Sequence, residues 1–311
     1  AGKDVYCEKP MMHSIDEGAR MLAAQKKTGR ILQVGSQCVS SIVYAKAREL
    51  FASGAIGKVN LIEGWTNRNS VAGALHWPIP KDASPQTVDW DRFLGQAPKR
   101  PFEPARLFRW RLYDDYGTGI TGDLFVHLFS GMHFVTGATG PSRVFCSGGL
   151  RFWTDGREIP DVMVAVFDYP AQGATPAFNL TLKVNFVDGG VTNEWGETGF
   201  RFVGNEGLLE LGGGAVSVAR RPPLPLDWDA PPPTEANLAE AARHRFAAPG
   251  GYDDRLDHFQ HFFAAARNRT PVVEDALFGL RAAAPALLCN LSYAKSRPVG
   301  WDPETFKVTM A

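Results

Sequence analysis

The chain has 311 residues, room for one large domain or two ordinary ones. It is 44% hydrophobic and carries 33 basic and 33 acidic residues, so no charge excess marks a nucleic-acid or membrane surface. No apolar run is long enough to cross a bilayer, and the four cysteines (Cys7, Cys38, Cys146, Cys289) lack zinc-site or redox spacing and read as mostly buried thiols.

The opening AGKDVYCEKP reads as the middle of something rather than a start. Residues 4–7 predict a short buried strand, with a sharp stop at Pro10. Ser14, followed three residues later by Glu17, is a capping box. It opens a helix over 15–27 with Ala19, Leu22 and Ala23 inward, ended by Gly29. RILQVG (30–35) predicts a second strand, and a second helix over 41–53 stops at Gly54. Strand–helix–strand–helix is the rhythm of a parallel α/β sheet. Two parallel strands do not make a stable domain, so further strands are expected upstream of residue 1. No signal peptide is visible. The default expectation is therefore a cytoplasmic protein, or an exported one if a leader stands upstream.

Character changes after Gly57, and residues 57–311 are expected to form a second unit. Residues 58–67 predict a strand. Residues 76–104 hold six prolines and the pattern VDWDRFLG, a covering or functional loop. GTGITGDLFVHLFSG (117–131) then turns into a helix over 123–136. Asp123 and His127, at i and i+4, fall on one face of it. A carboxylate that orients an imidazole makes a general base; the bland alternative is an Asp suited to the helix dipole and a satisfied core histidine. Strands follow over 142–153, 161–169, 177–187, 198–203, 207–211 and 215–219. In AFNLTLKVNFV, Phe178, Leu180, Leu182, Val184 and Phe186 share one face, and Asn179, Thr181, Lys183 and Asn185 the other. That alternation predicts an antiparallel sheet with one dry and one polar face. Residues 204–207 make a hairpin turn. Residues 220–251, with seven prolines, predict an extended surface insertion. Two helices close the chain. The first, over 253–268, has Leu256, Phe259 and Phe263 inward. The second, over 274–295, has Leu277, Leu280, Leu287, Leu288 and Leu291 inward and a kink at Pro285.

In order, GKDVYCEKP, ILQVGSQ, SGAIGKV, VDWDRFLG and GDLFVH resemble the Gfo/Idh/MocA family of oxidoreductases, over the whole chain. Its most specific parts are Glu8-Lys9-Pro10 and Asp123-xxx-His127. The WDRFLG stretch resembles a bacterial subgroup, many of whose members are exported. The resemblance implies a fold that is α/β plus α+β. Residues 1–56 would be the C-terminal remnant of a Rossmann domain, followed by a large, mainly antiparallel open-sheet domain with flanking helices, the last of which pack back on the first part. It implies NAD or NADP as cofactor, a sugar, polyol or cyclitol substrate, and a homodimer or homotetramer. It places Glu8, Lys9 and Pro10 at the cofactor, Pro10 after a cis peptide, Lys9 and Asp123 at the substrate, and His127 as acid/base. The chain departs from the family at Ser130, where many relatives carry Asp. It also lacks the Gly-rich dinucleotide fingerprint, which the family places upstream, so the chain alone is expected to bind dinucleotide poorly.

Oxidising a secondary alcohol needs a base for the hydroxyl proton, and His127 suits the role because the unperturbed pKa of histidine lies near neutrality. Lys9 would steady the alkoxide. Gln37 follows a parallel strand's carboxyl end, where ligands of open sheets bind, and is a candidate for the cofactor. Trp65, Asn67 and Arg68 end a strand and would suit a sugar. Arg109, Trp110, Arg111 and Tyr113 form a basic aromatic run, with Arg109, Trp110 and Tyr113 taken as substrate candidates; anchoring loops is their structural alternative. His258 and His261, His76 and His133 lack a third ligand, and no metal is expected. The activity these residues suggest is hydride transfer between nicotinamide and a hydroxyl carbon. One alternative is glycoside cleavage by transient oxidation, which accumulates no NADH. Another is a non-catalytic binding or assembly protein, indifferent to loss of His127.

Overall fold

The computed structural model describes residues 2–220, 229 and 243–310. Most of the predicted insertion, 221–228 and 230–242, therefore lies outside the described residues. Strand β1 (Val5–Cys7), helix α1 (Ile15–Thr28), strand β2 (Leu32–Val34) and helix α2 (Ile42–Ala52) follow the expected order, and β1 and β2 pair in parallel. The capping box forms: Glu17 N donates to Ser14 Oγ, and Ser14 N donates to the Glu17 carboxylate. Gly29, at φ 62°, closes α1 in the left-handed conformation. Two burial expectations fail here. Val5 is 44% exposed, and the inward face of α1 is Gly18 and Leu22, with Ala23 exposed.

The second sheet has ten strands in the order β10-β9-β8-β7-β3-β6-β5-β4-β11-β12. They are β3 (Val59–Asn67), β4 (Arg143–Gly149), β5 (Val162–Tyr169), β6 (Phe178–Asn185), β7 (Glu197–Gly204), β8 (Gly207–Gly212), β9 (Ala215–Arg220), β10 (Arg243–Ala247), β11 (Val299–Trp301) and β12 (Val308–Met310). All neighbours are antiparallel except β3 and β6, which run parallel. The alternation in β6 is as predicted: Phe178, Leu180, Leu182, Val184 and Phe186 are all buried. The predicted insertion is corrected at its end, because 243–247 is an edge strand paired with β9.

One face of this sheet is covered by α2, by helix α5 (Val126–Thr136) and by helix α7 (Ala276–Lys295), which continues through Pro285. Nearly every residue of α5 is buried, as a helix apolar on all sides requires. The Tyr44 ring of α2 packs directly over Gly131, where any β-carbon would collide. Helix α6 (Asp254–Asn268) and α7 pack back onto β2 and its neighbours. The orientation of α6 corrects the sequence reading: Leu256, Phe259 and Phe263 are 58%, 41% and 51% exposed, while His258 and Ala265 face inward. His258 can be buried because both ring nitrogens find partners, Ser40 Oγ and the Val34 carbonyl, each at 2.8 Å. No helix among the described residues is long and apolar enough to cross a membrane.

Candidate active site

The site forms where the carboxyl end of β1 meets the entry to α5. The chain leaves β1 through Glu8 and a cis Lys9–Pro10 peptide. Opposite, Gly119 (φ 67°) leads into a π-helical turn, Thr121–Phe125, before α5 begins. Asn290 of α7 holds this turn, donating to the Thr118 carbonyl at 2.7 Å and accepting from Thr121 Oγ1 at 2.8 Å. A β-carbon on Gly119 would strike the Asn290 amide. Widened turns of this kind recur where a helix must re-aim a functional side chain.

Lys9 Nζ donates to Asp123 Oδ1 at 2.8 Å and to the Asp123 carbonyl at 2.6 Å. Arg111 Nε stands 3.5 Å from the same carboxylate oxygen. Burial works against ionising Asp123, but Lys9, then Arg111 and His127, hold its carboxyl below the usual carboxylate range. His127 lies one turn further on, half-buried, and its ring makes no hydrogen bond with any described residue. Burial and the positive charges of Lys9 and Arg68 push its pKa down to about 3, outweighing Asp123, which pulls the other way. At neutral pH His127 is thus an uncharged imidazole. Of the two roles the sequence leaves open for Asp123, holding the His127 ring or contacting substrate, the first has no hydrogen bond behind it; Asp123 grips Lys9 instead.

A cleft of about 320 Å³ runs along this pair, lined among others by Glu8, Pro10, Met12, Trp110, Arg111 and Tyr116. The proline-rich loop reaches it through a short helix, α3 (Trp90–Leu94), whose Phe93 ring packs 4.9 Å from that of Tyr116.

Of the residues singled out in the sequence, Glu8, Lys9, Pro10, Trp110 and Asp123 meet at the cleft, with His127 and Arg68 as electrostatic neighbours of the pair. Others are placed elsewhere. Gln37 stands beside Tyr6 at the strand ends. Trp65 packs against Gly199 on β7. Asn67 is buried, with an unpartnered side-chain oxygen. Arg109 donates to the Trp77 carbonyl at 2.7 Å, and Tyr113 lies buried beneath Arg106. The member of that run that reaches Asp123 is Arg111, whose guanidinium carbon lies over the Trp110 and Trp77 rings at 4.3 and 5.1 Å. Trp77 carried no signal beyond its proline-rich surroundings. Ser130 is not at the cleft either; it bonds Ser36 and Glu274 in the interior. His133 is buried against the Tyr169 hydroxyl at 2.9 Å, and no group of potential metal ligands is found among the described residues.

Comparison with known proteins supports this arrangement at the level of fold and family. An NAD-binding oxidoreductase from Klebsiella pneumoniae superposes with a TM-score of 0.67 at 17% identity, covering 96% of this chain and 74% of that one. A levoglucosan dehydrogenase in complex with NADH and levoglucosan gives 0.66 at 16%, covering 96% and 74%. An aldose–aldose oxidoreductase from Caulobacter crescentus, complexed with glycerol, gives 0.63 at 18%, covering 96% and 72%. At these identities the likeness is one of fold. An uncharacterised oxidoreductase from Rhizobium meliloti is 34% identical over 64 residues, so the match spans 21% of this chain and only 19% of that curated relative's length. The model of the GFO/IDH/MocA C-terminal domain matches residues 44–210, more than half of the sequence, and the chain belongs to the GFO/IDH/MocA family of oxidoreductases.

Proposed function

We propose that the site serves an NAD(P)-dependent dehydrogenase acting on a hydroxyl carbon of a sugar, polyol or cyclitol. The observation that carries this reading is geometric: Lys9 is held by Asp123 at 2.8 Å on the cleft wall, with the His127 ring, free of hydrogen bonds to described residues, one turn further on. His127 takes the hydroxyl proton as the alcohol is oxidised. Lys9 points a cation at the developing alkoxide, and Asp123 keeps that ammonium aimed. The nicotinamide end of a dinucleotide fits the strand-end edge. Glu8 is exposed there with its carboxylate against Gly35, and Pro10, Met11 and Met12 offer an apolar wall. Glu8, Lys9 and Pro10 would hold it, with Gln37 near the same edge; when bound, NAD(P) supplies the hydride acceptor or donor. Solved structures of the same fold carry NADH with levoglucosan, which agrees with this assignment.

On this reading residues 1–56 belong to the dinucleotide-binding unit and 57–311 to the substrate unit. We assign self-association to the open face of the second sheet, where Phe145, Val164 and Val166 are 43%, 48% and 42% exposed on adjacent strands. Light scattering that finds only monomer would count against that assignment. The catalytic reading is tested by NADH formation over a panel of sugars and polyols with wild type and His127→Asn. Turnover should fall about 10²- to 10⁴-fold in the variant. Equal turnover would remove His127 from the chemistry.

A further inference from the structure

Among the described residues, the charges around Asp123 do not balance. Lys9, Arg68 and Arg111 are its cationic neighbours or neighbours of His127, and Asp123 is the one carboxylate among them. Lys9 makes one short hydrogen bond to that carboxylate, at Oδ1, and a second to the Asp123 backbone carbonyl. Arg111 is left with a 3.5 Å approach to an oxygen already taken, and its guanidinium makes no hydrogen bond with a described residue. The guanidinium carbon lies over the Trp110 and Trp77 rings, while 28% of the side chain stays open. Arg68 gives one N–H to the Gly73 carbonyl at 2.8 Å, and its Nε is buried without a partner. Burial weakens the charged form of Arg68; Asp123 supports it, and the nearby Arg111 adds a smaller opposing push, so one carboxylate is shared among three cations. Two further carboxylates lie on the cleft's other wall: Glu17, which accepts from the His13 and Ser14 amides, and Glu8, which is exposed at the strand end beside Gly35.

We propose that the substrate of this site is a sugar acid, whose carboxylate is bound by the edge of Arg111 with Arg68 beside it. A guanidinium held against aromatic rings and free of protein hydrogen bonds can offer its in-plane N–H groups, and these match the two coplanar oxygens of a carboxylate. The anion supplies the missing countercharge. Its hydroxyls then lie along Lys9 and Asp123, within reach of His127. This rests on the dehydrogenase reading only for which hydroxyl reacts; the binding itself does not depend on it.

The test is calorimetric titration of the protein with matched pairs: D-glucuronate against D-glucose, and D-galacturonate against D-galactose. Glucose 6-phosphate serves as a second anion. In at least one pair the uronate should bind about 10- to 100-fold more tightly than the neutral sugar, as charge-assisted hydrogen bonds allow. That advantage should shrink with added salt and fall to about threefold or less in Arg111→Gln. Arg111→Lys, which keeps the charge but not the fork, should retain part of it, and thermal melts confirm that both variants are folded. Neutral sugars binding as tightly as their uronates would overturn the proposal. So would an advantage that survives in Arg111→Gln, tighter binding of the phosphate, or no binding of any uronate. Uronate selectivity without His127-dependent turnover would sink the catalytic reading and leave this one standing; turnover of neutral sugars alone would do the reverse.

Discussion

Replacing Glu274 by Gln tests the electrostatics of the interior behind the site. Glu274 is fully buried just before α7. Its Oε1 accepts from Ser36 Oγ at 3.1 Å and from Ser130 Oγ at 3.0 Å, while Oε2 is buried without a partner. Burial pushes the pKa up from 4.5 to about 8, with Asp275 adding to the effect; the two hydroxyls only soften it. The sign follows from linkage. With the folded pKa raised, the contribution is fully present below about pH 4.5. It declines by about 1.4 kcal/mol per pH unit and is lost as pH rises through 8. The whole span is on the order of 5 kcal/mol. Glutamine is neutral throughout and can still accept both serine hydroxyls. Wild type and Glu274→Gln should therefore differ by about 1 kcal/mol or less near pH 5, with the variant more stable by several kcal/mol at pH 8. At roughly 2 °C per kcal/mol for a chain of this size, that is a change of about 6–10 °C in the difference between their melting temperatures. His127 and His133, both held near pKa 3 by burial, slope the other way below pH 6.5, but they do so in both proteins and cancel in the difference. Calorimetric melts from pH 5 to 8.5 make the measurement. A difference that does not change with pH would refute the reasoning, whatever its size, because a poor fit of the amide shifts all points equally.

Other expectations concern the cleft. Lys9→Met leaves the Asp123 carboxylate facing Arg111 alone; we expect a loss of about 1–3 kcal/mol in denaturant melts and at least a hundredfold drop in turnover. With His127 uncharged down to about pH 3, kcat/KM should show no histidine titration between pH 5 and 8; a fall centred near 6.5 would place His127 in a far wetter setting. Asn290→Ala removes both bonds that hold the π-helical turn and should cost about 1–3 kcal/mol and slow turnover with His127 still in place, which a melt and an NADH assay will check together.

What was legible in the sequence was whatever short-range chemistry decides. Ser14 and Glu17 cap α1 through their own backbone, and the facing of β6 follows from its period of two. The same period could not tell that β6 runs parallel to β3, because side chains alternate identically in both pairings. Nor could it place β11 and β12, three residues each, too short to show a period. The face of α6 was misread for a different reason. Apolar spacing nominated Leu256, Phe259 and Phe263, but the strand end offered His258 a carbonyl and a hydroxyl, and a satisfied polar group turned inward. Among residues 109–113, the tight turn Trp110–Leu112 sends neighbours in different directions, so composition pointed to the run while only the folded phase selects Arg111.

The pairing of Asp123 with His127 shows why spacing alone was insufficient for mechanism. Four residues bring two side chains together only on a regular α-helix, and here the first of them belongs to a π-helical turn. Asp123 is thereby aimed across at Lys9, on the other side of the cleft. The consequence for His127 is opposite in sign to that of a carboxylate-oriented histidine. A bonded carboxylate would raise its basicity, whereas burial, Lys9 and Arg68 together lower it beyond what Asp123 restores. Such an imidazole is a weak base at rest but is always unprotonated. An incoming anion that neutralises Arg68 removes part of what depresses it. If the substrate brings that charge, His127 gains basicity only when the substrate is in place, and proton transfer becomes coupled to occupancy of the site.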